Sequence, residues 1–256
     1  MHCVFNEGVK VFRLLKFISQ FETNVKLECS ENGITMFTMS NCHSVFIDVV
    51  LPVEYFKEYR CESPVGIGVN LNVLLSALSS CKGNDLLSMD SSNDDKVTFT
   101  KMSEDESIHY VIKQMNIDHE IMNVPEMDEN VTVQLSPSYL RAWKKNIIDF
   151  TKSSLTIDPT DSCIRFNSTG DGGDVNMEQK MPSNGIEYTI ITSNVKPLTI
   201  GNKNVMKAFT IGDVSDTLDF GWANTMPFRI SATLGECGTL RVFLAPLIED
   251  EEMEAD

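Results

Sequence analysis

Val9–Gln20 reads VKVFRLLKFISQ and has a helical period. At 100° per residue, Val11, Leu14, Leu15 and Ile18 share one face, and Lys10, Arg13, Lys16 and Gln20 the opposite one. Pro137–Ile148 (PSYLRAWKKNII) behaves alike. Pro137 suits a first helical turn after a Ser136 cap. Arg141, Lys144 and Lys145 then lie opposite Leu140, Trp143 and Ile147. Leu71–Lys82 (LNVLLSALSSCK) is apolar on Leu74, Leu75 and Leu78, with Asn72, Ser76 and Ser79 elsewhere and Lys82 at its end. Thr199–Thr210 (TIGNKNVMKAFT) is a weaker helix because of Gly201, but it sets Lys203 and Lys207 one turn apart. None of these four stretches contains an acidic residue. The chain has 37 Asp+Glu, so even scatter would put roughly seven in them; phosphates nearby would select against carboxylates and for Lys and Arg.

Outside those stretches the chain is strongly acidic, and its formal net charge is −16. An acidic outer surface weakens non-specific adhesion to nucleic acid or anionic membrane, so a general nucleic-acid coat is excluded. Length, 42% hydrophobic and 23% charged content fit a globular protein of one large or two medium domains. Seven cysteines, an odd number without CxxC spacing, read as reduced thiols in an intracellular protein. MHCVFNEGVK has no apolar leader core, and no apolar run reaches a membrane span, so no membrane partner is expected.

Between the helices the pattern is short strands and turns. Lys26–Cys29 and Ile34–Thr38 flank Glu31-Asn32-Gly33, a hairpin signal. Ser44–Leu51 alternates through Val45, Ile47, Val49 and Leu51. Leu86–Met89 and Val97–Thr100 flank a Ser91–Asp95 turn, and Ile108, Tyr110 and Ile112 alternate in the next strand. Similar runs follow at Ser154–Ile157, Cys163–Asn167, Asp174–Lys180, Glu187–Ile191, Thr217–Phe220, Phe228–Thr233 and Thr239–Leu244. The halves align in element order without residue identity, which suggests a structural duplication. The expected division is 1–114, a connector 115–130 (MNIDHEIMNVPEMDEN), 131–248, and an acidic tail 249–256. The fold class is α+β.

Sites for covalent, metal or nucleotide chemistry are missing from the motif inventory. There is no GxxxxGK[ST], no GxGxxG and no HExxH, and Gly170–Asp174 reads as a turn. The expectation is a protein that is not an enzyme, with no cofactor and no metal. Four basic helices, if on one side of one subunit, would make a concave wall. A chain with a radius of gyration of roughly 18 Å cannot surround a duplex alone; several copies joined edge to edge could, positive inside and negative outside. Helices without base-reading side chains suit phosphate contacts, which carry no sequence information.

Four segments resemble one family. Glu58–Leu71 (EYRCESPVGIGVNL), Cys81-Lys-Gly-Asn-Asp85, Met115–Glu126 and Leu244–Glu252 (LAPLIEDEE) are similar to segments of the proliferating cell nuclear antigen (PCNA) sliding clamps. The resemblance implies a DNA-clamp fold of two similar domains, each with antiparallel sheets and two inward-facing helices. It implies a homotrimeric ring around duplex DNA and an ATP-driven clamp loader. It also implies docking of DNA polymerase, nuclease and ligase through a short Gln-x-x-aliphatic-x-x-aromatic-aromatic motif, in the nucleus or at a viral replication site. Lys10, Arg13, Lys16, Lys82, Arg141, Lys144, Lys145, Lys203 and Lys207 would then face DNA. Met39, His43, Phe46, Met122, Val124, Pro227, Phe243, Ala245 and Pro246 would form the partner pocket. Ser107–Met115 would pair with Asp174–Lys180 of the next subunit, with Tyr110, Ile112, Val175 and Met177 at the interface. The chain departs from the family at Ser40 (usually Asp), at Phe243 (usually Tyr), in helix two, where Lys82 is alone, and near Thr160–Asp161, where the modified lysine is missing. Two rival readings stay open: a monomeric or dimeric processivity factor of the same fold, and an interaction platform that does not encircle DNA.

Overall fold

The computed structural model describes residues 1–40, 42–93, 95–118, 127–148, 154–170, 173–181, 183–184, 186–190, 195–215, 217–224 and 226–247. The pocket candidates Met122 and Val124 and the acidic tail 249–256 lie outside the described residues.

Among the described residues, each half runs strand, helix, five strands, helix, three strands. The first half is β1 (His2–Phe5), α1 (Gly8–Ile18), β2 (Asn24–Ser30), β3 (Gly33–Met39), β4 (Val45–Pro52), β5 (Phe56–Arg60), β6 (Val65–Asn70), α2 (Leu71–Leu78), β7 (Leu86–Asn93), β8 (Lys96–Met102) and β9 (Ser107–Lys113). The second is β10 (Val131–Leu135), α3 (Pro137–Trp143), β11 (Ser154–Pro159), β12 (Cys163–Gly170), β13 (Gly173–Lys180), β14 (Ile186–Ile190), β15 (Leu198–Gly201), α4 (Asn202–Ala208), β16 (Leu218–Trp222), β17 (Phe228–Leu234) and β18 (Gly238–Leu244).

Among the described residues all ladders are antiparallel. One sheet is ordered β5-β1-β7-β8-β9 and another β13-β12-β11-β15. The third, β14-β10-β16-β17-β18-β4-β3-β2-β6, crosses both halves. It is the second half's β14-to-β18 sheet fused to the first half's β4-to-β6 sheet. The seam is β18 against β4, from Thr239↔Val50 to Leu244↔Val45. Alternation drives this packing: β2 turns Val25, Leu27 and Cys29 inward between half-exposed neighbours. The helices close the core with Leu14, Leu15 and Ile18 of α1, Leu74 and Leu78 of α2, Trp143 of α3 and Val205 and Ala208 of α4, all buried. Burial of that apolar area, at roughly 25 cal/mol per Å2, is the main force holding the layers together.

The β2–β3 hairpin turns where Glu31-Asn32-Gly33 signalled it. Gly33 has φ +127°, and a Cβ there would lie 2.2 Å from the Leu51 carbonyl oxygen. Five strands escaped the periodicity reading: β1, β5, β6, β10 and β15, each of four to six residues. Thr199 and Ile200 stand at the head of the expected fourth helix. They are strand, paired with Thr156 and Leu155, and the helix begins only after Gly201; β-branched residues accept a ladder more readily than a helix. α2 stops at Leu78, short of Lys82. α3 widens into a π turn over Lys144–Ile148. Ser136 occupies the cap position, but its hydroxyl meets the Ser138 hydroxyl at 2.6 Å instead of a backbone N–H. The Ser91–Asp95 turn is shorter than expected, because β7 continues through an irregular register to Asn93.

Candidate nucleic-acid interface and docking face

α1, α3 and the 3-10 turn Phe209–Asp213 line a cleft of about 870 Å3 that gathers Lys10, Arg13, Lys16 and Arg141. Lys82, Lys144, Lys145, Lys203 and Lys207 are not in its lining. Lys82, Lys145 and Lys203 are exposed, and Lys144 and Lys207 are half-buried. The Lys82 loop is held from below by buried Asp85, whose carboxylate accepts from the Lys82 N–H at 2.8 Å and lies 3.7 Å from buried Lys101.

The cations divide into two groups. Lys10 pairs with Glu7 at 2.7 Å, and Arg141 donates to the Gly212 carbonyl at 3.3 Å with Asp213 at 4.0 Å. Lys207 donates to the Gln20 carbonyl and sits 5.4 Å from the Phe21 ring centre. Beside it Gln20 Nε2 donates to Thr210 Oγ1 at 2.8 Å, so α1 and the fourth basic stretch are stitched across the halves. Among the described residues, Arg13, Lys16, Lys82, Lys144, Lys145 and Lys203 have no ion-pair partner. Glu7 and Asp213 lie just outside the acid-free stretches in sequence, beyond the windows that define them. The signal for Glu7 was its i,i+3 spacing to Lys10.

The docking candidates lie on the seam. Register places Met39, Phe46, Phe243 and Arg229 in one row across β3, β4, β18 and β17. The neighbouring row, Thr38, Ile47, Val242 and Ile230, is buried core, so the first row faces outward. Met39 and Phe46 are half-buried, Phe243 is buried, and the two rings are 5.9 Å apart. His43 is exposed in a left-handed conformation, φ +54°, with Nδ1 2.8 Å from the Met39 sulfur. Pro227, Ala245 and Pro246 are half-buried. The Ala245 N–H donates to the Ser44 carbonyl at 2.9 Å. Cys42, at the rim, lies 3.5 Å from Ser40 Oγ and 2.8 Å from Ser44 Oγ. Those hydroxyls, Ser40 first, hold its thiol down at about 7.

The connector is fastened at both described ends. The Met115 N–H donates to the Gly68 carbonyl at 2.9 Å, on the β6 edge. A Cβ on Gly68 would lie 2.1 Å from the Met115 oxygen. The second half repeats this contact, with the Leu247 N–H donating to Thr199 of β15 at 2.8 Å. At the connector's far end the Asn130 N–H donates to the Trp222 carbonyl at 3.0 Å. Glu129 takes a bidentate bond from Arg229, with Nη2 to Oε2 at 2.6 Å. Arg229 also bonds Asp219 at 2.5 Å, and Ser231. Burial pushes the Asp219 carboxyl up, against the opposing pull of Arg229. This ion cluster was not foreseen, because its members lie far apart in sequence.

The interface candidates lie on sheet edges. β9 ends the first sheet and β13 the four-stranded sheet. Tyr110, Val175 and Met177 are partly buried against the core. Ile112 is buried in its own half, while Val111 is 61% exposed. In element order β9 corresponds to β18 and β13 to β4, the two strands that pair at the seam.

Among the described residues no group of three or more His, Cys, Asp or Glu could hold a metal ion. Also among them, no helix is long and apolar enough to cross a membrane. The sequence family described as Proliferating cell nuclear antigen, N-terminal domain, matches residues 1–122. The chain is 25% identical to the proliferating cell nuclear antigen of Chaetomium thermophilum over 249 residues, covering 94% of this chain and 95% of the relative. It is 27% identical to that of Caenorhabditis elegans over 249 residues, covering 94% of each. The crystal structure of proliferating cellular nuclear antigen from Entamoeba histolytica superposes with a TM-score of 0.89, at 20% identity, over 96% of this chain and 98% of that one.

Proposed function

We propose, from the premise that this chain is a divergent member of the PCNA family, that it is a DNA sliding clamp and processivity factor without enzymatic activity of its own. The observation that carries the reading is the pair of open edges. β18 joins β4 inside the chain, and their counterparts β9 and β13 each end a sheet. Pairing β9 of one copy with β13 of the next repeats the internal seam and removes two exposed strand edges. Three copies give a closed ring of six similar domains, around the acid-free helices. Exposed Arg13, Lys16, Lys82, Lys145 and Lys203 are the phosphate contacts, individually weak and screened by salt. Ring closure keeps the protein on duplex DNA while weak contacts permit sliding. An ATP-driven loader opens the ring.

The outward row Met39–Phe46–Phe243, with His43, Pro227, Ala245 and Pro246 around it, takes the apolar side chains of the partner motif of polymerases, nucleases and ligases. Met122 and Val124 belong to the same proposed pocket. The place of action is the nucleus, or a viral replication site if a virus encodes the chain. Light scattering tests the assembly: a trimer weighs about 86 kDa, three times 28.7 kDa. A strict monomer at micromolar concentration refutes the ring and favours the processivity factor that holds DNA by charge alone. Retention after loading on circular but not on linearised DNA tests encirclement. Equal release from both excludes it and favours the interaction platform.

A further inference from the structure

The row Met39–Phe46–Phe243 does not end in an apolar residue. Its next member is Arg229, directly opposite Phe243 in the β17–β18 register. Cross-strand neighbours on one face bring their Cβ atoms to about 5 Å, so the Arg229 stem extends the wall begun by Phe243. Its guanidinium is turned to Glu129, near the end of the connector, in a fork that fixes both position and angle. Both side chains are largely buried, at 15% and 14% exposure. Asp219 and Ser231 hold the same guanidinium from the sheet below. Gly221 leaves the space: a Cβ there would lie 2.2 Å from the Glu129 carboxylate. The carboxylate, the fork and the missing side chain therefore make one built socket.

We propose that Arg229 is a positioning residue for partner docking. By holding Glu129 it fixes the Met127–Asn130 end of the connector beside Phe243 and sets the outer limit of the apolar pocket. This rests on the docking reading above. The cluster carries one positive and two negative charges, and its Arg229–Glu129 half is largely buried. Removing Arg229 leaves the Glu129 carboxylate without its partner, and neutralising Glu129 weakens the fork while Arg229 stays paired with Asp219; either way Glu129 would leave the sheet and the connector end with it.

The test uses the full-length protein and a fluorescent peptide carrying the Gln-x-x-Leu-x-x-Phe-Phe motif. Glu129→Gln and Arg229→Met each remove one charge. Gly221→Ala keeps both charges and fills the socket. Each should weaken the peptide about tenfold, the double Glu129→Gln/Arg229→Met no more than either single, since the two act as one unit. Amide exchange at Met127–Asn130 should quicken in all three, and the salt slope of DNA binding should stay unchanged. Unchanged peptide affinity in the three variants overturns the proposal. So does an additive loss in the double variant with no local change in exchange, which would mark general destabilisation. A wild-type protein that binds no peptide overturns the docking reading itself, and this proposal with it.

Discussion

Lys16 and Lys207 look equivalent in the sequence, each one turn after another cation on an acid-free stretch, yet alanine should do opposite things at the two sites. Lys16 is exposed and has no ion-pair partner among the described residues; its contact is the Phe12 ring centre at 6.0 Å. Its removal costs little stability. Each copy that touches a phosphate loses about 0.9 from the slope of log K against log salt. Lys207 is half-buried, donates to the Gln20 carbonyl and lies over Phe21. A hydrogen bond to a charged group contributes roughly 1.5–3 kcal/mol, and a cation–π contact about 0.5–1. Discounted for partial exposure, the loss is about 2 kcal/mol. For a chain of this size that is a fall in Tm of about 4–8 °C. Calorimetry and duplex binding between roughly 50 and 200 mM salt separate the two cases. The reasoning is refuted if Lys207→Ala flattens the salt slope as much as Lys16→Ala and melts at the wild-type temperature.

Cys42 should be the fastest thiol toward a neutral alkylating agent, with half its limiting rate reached near pH 7, while exposed Cys237, pushed up by burial and by Glu54 and Glu236, reacts only at higher pH; mass spectrometry of labelled peptides reads both. Gly68→Ala drives a methyl into the Met115 carbonyl, so the connector should leave the β6 edge, seen as faster exchange of the Met115 amide, at a cost of about 1–3 kcal/mol. Trp143→Ala removes a fully buried ring packed 4.8 Å from Phe166 and should cost about 3–5 kcal/mol by denaturant unfolding, against less than about 0.5 for Met206→Ala on the exposed face of α4.

The assembly and the docking proposed above share one repeated device. The chain crosses the seam once by pairing β18 with β4, and in the proposed ring β9 and β13 would form a second such seam. The row Met39–Phe46–Phe243 lies over the internal seam, so under that proposal partner binding and ring closure would use different copies of one geometry.

The helices α1 and α3 were legible in the sequence because period 3.6 places Leu14 with Ile18 and Leu140 with Trp143 whatever the rest of the chain does. The longer strands were legible because alternation is equally local. The acid-free stretches were legible as four segments that hold cations and no carboxylate of their own. Which of those cations remain free was not legible. Lys207 turns to a carbonyl far away in sequence, and Arg141 to Asp213, just beyond the cleared stretch. The short strands β1, β6 and β15 were missed because four to six residues carry too little pattern; their ladders, supplied by other strands, define them. The pairing of Arg229 with Glu129 was invisible for a related reason. On an acidic chain every carboxylate looks solvated until folding removes its water. Local periodicity, a property of neighbouring residues, determined the elements and the polarity of their faces. Tertiary structure alone decided which charges are spent inside the molecule, because ion pairing depends on distances that only packing sets.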